Sequence, residues 1–448
     1  MPFRFPPLGF GPWFLASCLL MTALATGEEL IEKYPDGKKK AVYTTGADGA
    51  KNGAFEEFHP DGKRAAKGAY KNDKLSGPYQ SHFVGGKVKV KATYREGLLN
   101  GKYVEHSEAG PIARSAEYRD DKLHGAYQEF TGGKLAKDEF WVAGELVVPK
   151  SAQQIAATLK AIEKAPVKSV GEFPKGLNSI WQAALADTGI QVRREVALKH
   201  LQAYRFLCDV AYEDVVLDRA YVAHCEAACD IMKRVDELTH TPKNPGMPED
   251  EYQFAYKGTS SSNIYSSAAM IDSITAFMDD SDDKNIDRLG HRRWCINPKM
   301  LKTGIAGNHG YSAMWSLDQS RVETPDYQFV AFPPKGLTPV SFFKSHYAWS
   351  LSLNPKKYRA PDPATVKAAI YPCRFAAKQG TIEKAPQPLP LNYSKIDLGG
   401  FAIPNCIIFR PADVAVAPGA SYWVEVTGLK DTDGKDAPLG YLVSFIGL

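Results

Sequence analysis

The chain has 448 residues, enough for about three domains, which excludes a single small module. With 44% hydrophobic and 24% charged residues it has the composition of a globular protein, which argues against wholesale disorder and against a polytopic membrane protein. The net charge is +4, and the densest basic run, Lys38-Lys39-Lys40, falls far short of a nucleic-acid patch, so nucleic acid is set aside as a partner.

Residues 1–25 read as a signal peptide. Arg4 precedes an apolar stretch, Trp13 to Leu24, that is too short to span a bilayer, and Ala23-Leu24-Ala25 fits the small-x-small cleavage pattern. The expected location is therefore secreted, periplasmic or at the cell envelope. A rival reading takes Leu15-Ala16-Ser17-Cys18, which resembles the lipobox of bacterial lipoproteins, and leaves Cys18 as a lipid anchor. Cleavage near Thr26 leaves Cys208, Cys225, Cys229, Cys295, Cys373 and Cys406, an even number in a compartment that permits disulfides. Cys373 and Cys406 stand alone in the strand-rich last segment and are the favoured pair. Cys225 and Cys229 share one helical face with Val222 and Met232, where buried small apolar side chains are the plainer expectation. No Cys-x-x-Cys occurs, so cysteine-rich zinc modules and thioredoxin-like chemistry lose their main support.

From 28 to 148 the sequence repeats. Gly53, Gly77, Gly101 and Gly125 stand 24 residues apart, each followed two positions later by Phe55, Tyr79, Tyr103 or Tyr127. Gly62, Gly86 and Gly110 keep the same period, as do Tyr70, Tyr94 and Tyr118. Turn signals such as Pro60-Asp61-Gly62 and Asn100-Gly101 make each unit two short antiparallel strands that bury their apolar face only by stacking on neighbours. The Gly-x-Tyr pairs resemble MORN-type repeats. That resemblance implies a surface or spacer for a protein or cell-envelope partner. The histidines of the array, His59, His82, His106 and His124, occupy differing places in the repeat and suggest no catalysis.

Residues 149–177 form a helical linker, with Ile155, Leu159 and Ile162 spaced by four and three. In 178–328, helices are expected through Val196–Cys208 and Asp218–Leu238, the second stopped by Pro242 close to His240. A Gly/Ser segment, Gly258 to Ile264, leads into a third helix carrying Ala268, Ile271, Ile274 and Phe277. Leu289 to Pro298 reads as a strand, with Gly304–Gly307 through Ala313–Trp315 as its hairpin partner. Arg292 and Arg293 are expected on a solvated strand face.

This order of elements resembles the CAP superfamily of secreted proteins, in particular its bacterial branch with a Gly-His-Arg-Arg-Trp segment, over about Leu198 to Trp315. Leu201-Gln202-Ala203-Tyr204-Arg205 is similar to the family's first helix, with Gln202 departing from Asn. The resemblance implies an α-β-α sandwich with a cavity around two histidines, His240 and His291, that holds a divalent cation such as zinc or a small amphiphile. The family adds two glutamates. Here Ser261-Ser262-Asn263 replaces Gly-Glu-Asn, and the second acidic place is matched by Asp280 or Asp279. Ser262, Asn263 and Asp280 are thus the candidate ligand-binding residues, and His240 and His291 the candidate metal ligands. From the residues alone, His240 could instead cap a helix carboxyl end. Ser262 lacks the Gly-x-Ser-x-Gly elbow of a hydrolase nucleophile, and no catalytic residue is assigned.

Residues 329–448 alternate in short stretches, such as Trp349–Leu353, Cys406–Phe409, Tyr422–Val426 and Tyr441–Phe445, separated by Gly and Pro. They read as an immunoglobulin-like β-sandwich. The expected whole is a multi-domain α+β protein: hairpin array, α-β-α sandwich and β-sandwich. Its expected function is binding. A metal-assisted peptidase or hydrolase with Asp280 as base, and a purely structural envelope protein, are the alternatives.

Overall fold

The computed structural model describes residues 28–323, 326–376 and 381–448, so the expected signal peptide and Cys18 lie outside the described residues. The fold is mixed α and β and strand-rich, with an antiparallel sheet of hairpins at its amino-terminal end. No helix among the described residues is long and apolar enough to cross a membrane. The chain forms two compact units, one ending at Ile112 and one from Ala113 to Leu448.

In the first unit each main strand pairs antiparallel with the next: Glu28–Lys33, Lys39–Thr45, Lys51–Phe58, Arg64–Lys71, Gly77–His82, Val88–Arg95 and Gly101–His106. Alternate side chains of a strand point to opposite faces, and Tyr43, Phe55, Tyr70, Tyr79 and Tyr94 make an aromatic ladder on one of them. Ring centroids lie 6.1 Å apart for Tyr43–Phe55, 4.8 Å for Phe55–Tyr70 and 5.6 Å for Tyr79–Tyr94. At the turns Gly62 and Gly86 take φ of +86° and +84°, a region costly for any residue with a Cβ, and donate their N–H groups to the His59 and Phe83 carbonyls. Beside three of the turns along one edge a lysine reaches the following turn. Lys38 Nζ donates to Pro60 O at 3.1 Å, Lys63 Nζ to Val84 O at 3.5 Å and Lys87 Nζ to Ala109 O at 3.2 Å. The histidines serve the same joints: His59 Nε2 donates to His82 O at 3.1 Å and His106 Nδ1 to Gly110 O at 2.9 Å.

The expected array extends to 148, but its last strands belong to the second unit. There Phe140, Val147 and Val148 pack with Leu442 and Trp423 in one apolar cluster. Among the described residues seven α-helices follow: α1 (Ala152–Lys164), α2 (Ser179–Ala186), α3 (Thr188–Leu207), α4 (Arg219–Val235), α5 (Glu249–Ser260), α6 (Met270–Asp279) and α7 (Gly290–Cys295). Side-chain caps start several of them: Ser151 Oγ accepts from Gln154 N, Asp187 from Ile190 N, and Asp218 from Ala220 N and Tyr221 N.

The helices flank a three-stranded antiparallel sheet ordered Ser262–Tyr265, Tyr311–Trp315, Ile305–Asn308. The strand period of two sorts its side chains. Ile264, Ala306, Ala313 and Trp315 pack on Cys225, Cys229 and Met232 of α4, while Ile305 and Met314 join the cluster of Leu198 and Leu201 from α3 and Ile274 and Phe277 from α6. Helices therefore cover both faces. Beyond residue 328 a four-stranded and a five-stranded sheet bury Leu351, Trp349 and Phe409 against Tyr422, Val424, Val443 and Phe445. The expected boundary between 328 and 329 falls inside one continuous core, because these residues share a cluster with α3 and α6 and Tyr204 meets Phe332 at 6.0 Å.

Several local expectations are corrected. Residues Gly290–Cys295 form the short helix α7 instead of a strand, since six residues are too few for a helical period to show. The Gly/Ser segment begins inside α5. Gly258 belongs there because a Cβ would lie 2.0 Å from the His224 carbonyl oxygen, so its absence lets α5 close onto α4. Arg292 and Arg293 are 0% and 1% exposed, so neither lies on a solvated face. The six cysteines from Cys208 to Cys406 are free thiols. Cys406 packs with Ile286, Leu289 and Ile408, whereas Cys373 packs with Val147 and Leu442, so the favoured partners sit in different clusters. Burial pushes the Cys225 thiol up to about 12, which keeps it protonated and unreactive.

Candidate functional site

Helix α4 ends at Val235, where Asp236 takes the left-handed conformation at φ 52°. His240 therefore does not cap α4; it lies in the loop beyond it. There it meets the last turn of α5. His240 Nδ1 is 2.9 Å from the Thr259 carbonyl oxygen, and Thr259 Oγ1 donates to the His240 carbonyl at 3.1 Å. A carbonyl only accepts, so Nδ1 carries the proton and Nε2 keeps its lone pair.

His291 is held by an equivalent device. Helix α6 ends on Asp280, whose left-handed φ of 47° turns its buried carboxylate towards the start of α7. Asp280 Oδ1 lies 2.7 Å from His291 Nδ1, and Oδ2 accepts from the backbone N–H of His291 at 2.9 Å and of Arg292 at 3.3 Å. This carboxylate fixes the proton on Nδ1 and again frees Nε2, the arrangement by which outer carboxylates orient imidazole ligands. The two rings lie 6.4 Å apart, centroid to centroid, and nearly parallel at 25°. Neither Nε2 has a hydrogen-bond partner among the described residues. His240 is exposed and His291 half-buried, so the pair lies at the surface and not inside an enclosed cavity. Although solvent reaches the outside of His240, packing against its inner face lowers its pKa, the Thr259 carbonyl works in the opposite direction, and the neighbouring His291 and Arg288 add to the lowering.

The other expected site residues are placed as follows. Asn263 Nδ2 donates to the His291 carbonyl at 3.0 Å and approaches Cys295 Sγ at 3.6 Å, so it supports α7 and does not touch the imidazole. Ser262 points to the other face of its strand, with Oγ 3.6 Å from Cys225 Sγ, and is not gathered with the histidines. Asp279 turns to a further histidine, His346, with Oδ2 and Nε2 at 3.0 Å. Both oxygens of Asp280 are committed to α7, which leaves it an orienting group and not a free base or ligand. Sequence reasoning missed Thr259 and His346, and no motif marks either of them. Among the described residues no group of three or more His, Cys, Asp or Glu side chains is arranged to hold a metal ion. What the pair offers a cation is the two Nε2 lone pairs, one on each imidazole, since both Nδ1 atoms are engaged.

No protein-family model matches the chain, and no curated protein matches it either.

A separate histidine illustrates what burial does without a functional partner. His200 of α3 packs against Tyr204 and Phe342 beside a cavity of about 740 Å³, and its Nε2 lies 3.1 Å from Thr275 Oγ1. Burial drives its pKa down to about 4, with Asp272 pulling weakly the other way. The folded value lies below that of an unfolded histidine, about 6.5, so the unfolded chain binds the proton more tightly. The contribution is full above pH 6.5 and is lost as pH falls from there towards 4, by about 2–3 kcal/mol for this group. His200→Leu is expected to flatten that part of the stability profile, read as urea midpoints at pH 7 and pH 4.5. An unchanged pH difference would contradict it.

Proposed function

We propose that the chain is an exported binding protein of the CAP kind, in which His240 and His291 hold a divalent cation, zinc in the first place. The reading rests on two nearly parallel imidazoles, 6.4 Å apart, each with Nδ1 engaged and Nε2 left as a donor. Helices on both faces of a three-stranded sheet, and the order of α3, α4, His240, α6 and His291 along the chain, support it further. Two protein ligands are fewer than a structural zinc takes, so coordination positions remain for water or for the polar head of a small amphiphile. A cation there would supply an anchor for an anionic or carbonyl group. Residues 1–25 support export, the repeats resemble a MORN-type interaction surface, and the last two sheets support an immunoglobulin-like sandwich.

Binding is favoured over hydrolysis because the carboxylate nearest the imidazoles, Asp280, already accepts from His291 and Arg292. Titration calorimetry of the full chain with zinc at pH 7 tests the proposal. One equivalent is expected, weakened at least about tenfold in His240→Ala and in His291→Ala, since each removes a donor. The lowered pKa of His240 means that proton competition there sets in below the pH at which an ordinary imidazole is protonated. No zinc uptake by the unaltered chain, or uptake in both variants as tight as in the unaltered chain, would overturn the reading.

A further inference from the structure

The first unit has a second face, opposite the aromatic ladder, and what it binds is inferred on the reading of the array as an interaction surface. Across four strands the residues Lys67, Gln80, Lys91 and Val104 are register partners in a row. Adjacent strands stand about 4.8 Å apart, which puts Lys67 and Lys91 about 10 Å from each other on the same face. Lys102 projects on that face too, two residues from Val104 along its strand. These lysines rim a concave groove of about 900 Å³ whose floor includes Ala54, Ala69 and Pro78. The one carboxylate in the groove, Glu56, is already paired with Arg64 at 2.6 Å. Among the described residues Lys67, Lys91 and Lys102 form no ion pair and donate no hydrogen bond, in contrast to Lys38, Lys63 and Lys87, which are spent on the turns.

We propose that this groove docks an extended, acidic polypeptide segment of a partner protein. Three uncompensated ammonium groups on one face call for an anionic occupant. The concave form is unsuited to a planar bilayer surface. The rings of the ladder lie on the opposite face, which leaves His106 as the ring on the groove side, too few for the successive bases of a single-stranded nucleic acid to stack on. Small aliphatic side chains on the floor let a main chain approach closely, while the flexible lysine arms meet its carboxylates without demanding one exact spacing. The docking site is independent of the histidine pair, and each can fail without the other.

The test uses the full chain and poly-L-glutamate as the probe, with anionic phosphatidylglycerol vesicles and polygalacturonate in parallel. Poly-L-glutamate is expected to bind, more weakly as salt is raised, and the triple variant Lys67→Glu/Lys91→Glu/Lys102→Glu is expected to lose at least about tenfold in affinity. The control Lys134→Glu/Lys168→Glu/Lys356→Glu carries the same net charge change at exposed lysines outside the groove and is expected to stay within about twofold. Circular dichroism establishes that both variants are folded. Persistence of binding in His240→Ala keeps the result separate from the zinc site. The proposal is overturned if poly-L-glutamate does not bind, if both triple variants lose affinity equally, or if vesicles or polygalacturonate bind through these lysines and poly-L-glutamate does not.

Discussion

Arg292→Ala is expected to destabilise the second unit by about 4 kcal/mol or more, a large share of the roughly 5–15 kcal/mol that holds a typical domain together. The guanidinium is fully buried and its five donors are distributed over separate segments. Nε donates to Met278 O at 2.7 Å, Nη1 to Ala348 O at 2.7 Å and Ser350 Oγ at 3.0 Å, and Nη2 to Asp279 O and to Ser281 Oγ at 3.3 Å. Its carbon centre also lies 4.9 Å over the Phe332 ring. Truncation strands the Met278 and Ala348 carbonyl oxygens in the interior, each at a cost of about 1–3 kcal/mol, while the Asp279 carbonyl keeps the Ser281 hydroxyl as donor. Arg292→Lys is expected to recover only a minor part, since one ammonium cannot reproduce the planar fork. Urea unfolding measures both. A loss below about 1 kcal/mol in Arg292→Ala would show that water replaces these bonds.

Asp280→Ala is the second large effect, and it acts in two separable ways. The backbone N–H groups of His291 and Arg292 lose their acceptor, for about 2 kcal/mol of stability. His291 loses the partner that fixes its proton on Nδ1, and zinc affinity is expected to fall about 10- to 100-fold, as for outer carboxylates of other histidine sites. Nitrogen chemical shifts of the His291 ring report the tautomer directly. In the unaltered chain they are expected to show Nδ1–H, and in the variant a mixture. Asp279→Ala is the comparison, because its carboxylate serves His346, and it is expected to leave zinc binding unchanged. Equal zinc affinity in the Asp280 variant and the parent would remove the orienting role.

What could be read from the sequence follows the length over which a pattern runs. The 24-residue period repeats often enough that Gly53, Gly77 and Gly101, with their aromatic partners, reveal the hairpins directly. The spacing of Ile155, Leu159 and Ile162 likewise lies on α1, and the alternation at Trp349–Leu353 and Tyr441–Phe445 lies on strands. Shorter signals mislead. Two adjacent arginines in Gly290–Cys295 look like a solvated surface, and only the carbonyls contributed by residues 278 to 403 explain why both are buried. Gly258-Thr259-Ser260 looks like a loop because the reason for the glycine, the backbone of α4, is 34 residues away in the chain. In the site, His240 and His291 were legible through a family resemblance and not through spacing. The carbonyl that fixes His240 belongs to Thr259, and a carbonyl carries no mark in a sequence.

The lysine-to-carbonyl links between successive turns of the hairpin array bear on how its length can change. Three joints, at Lys38, Lys63 and Lys87, are made by the same donor reaching the same kind of backbone acceptor 21 to 22 positions further on. Duplicating or excising one whole 24-residue segment therefore regenerates an intact junction, while a cut out of phase strands a donor and misplaces a glycine. Such a scaffold can grow or shrink in units, with its reach adjusted by gene duplication and no redesign of the seams.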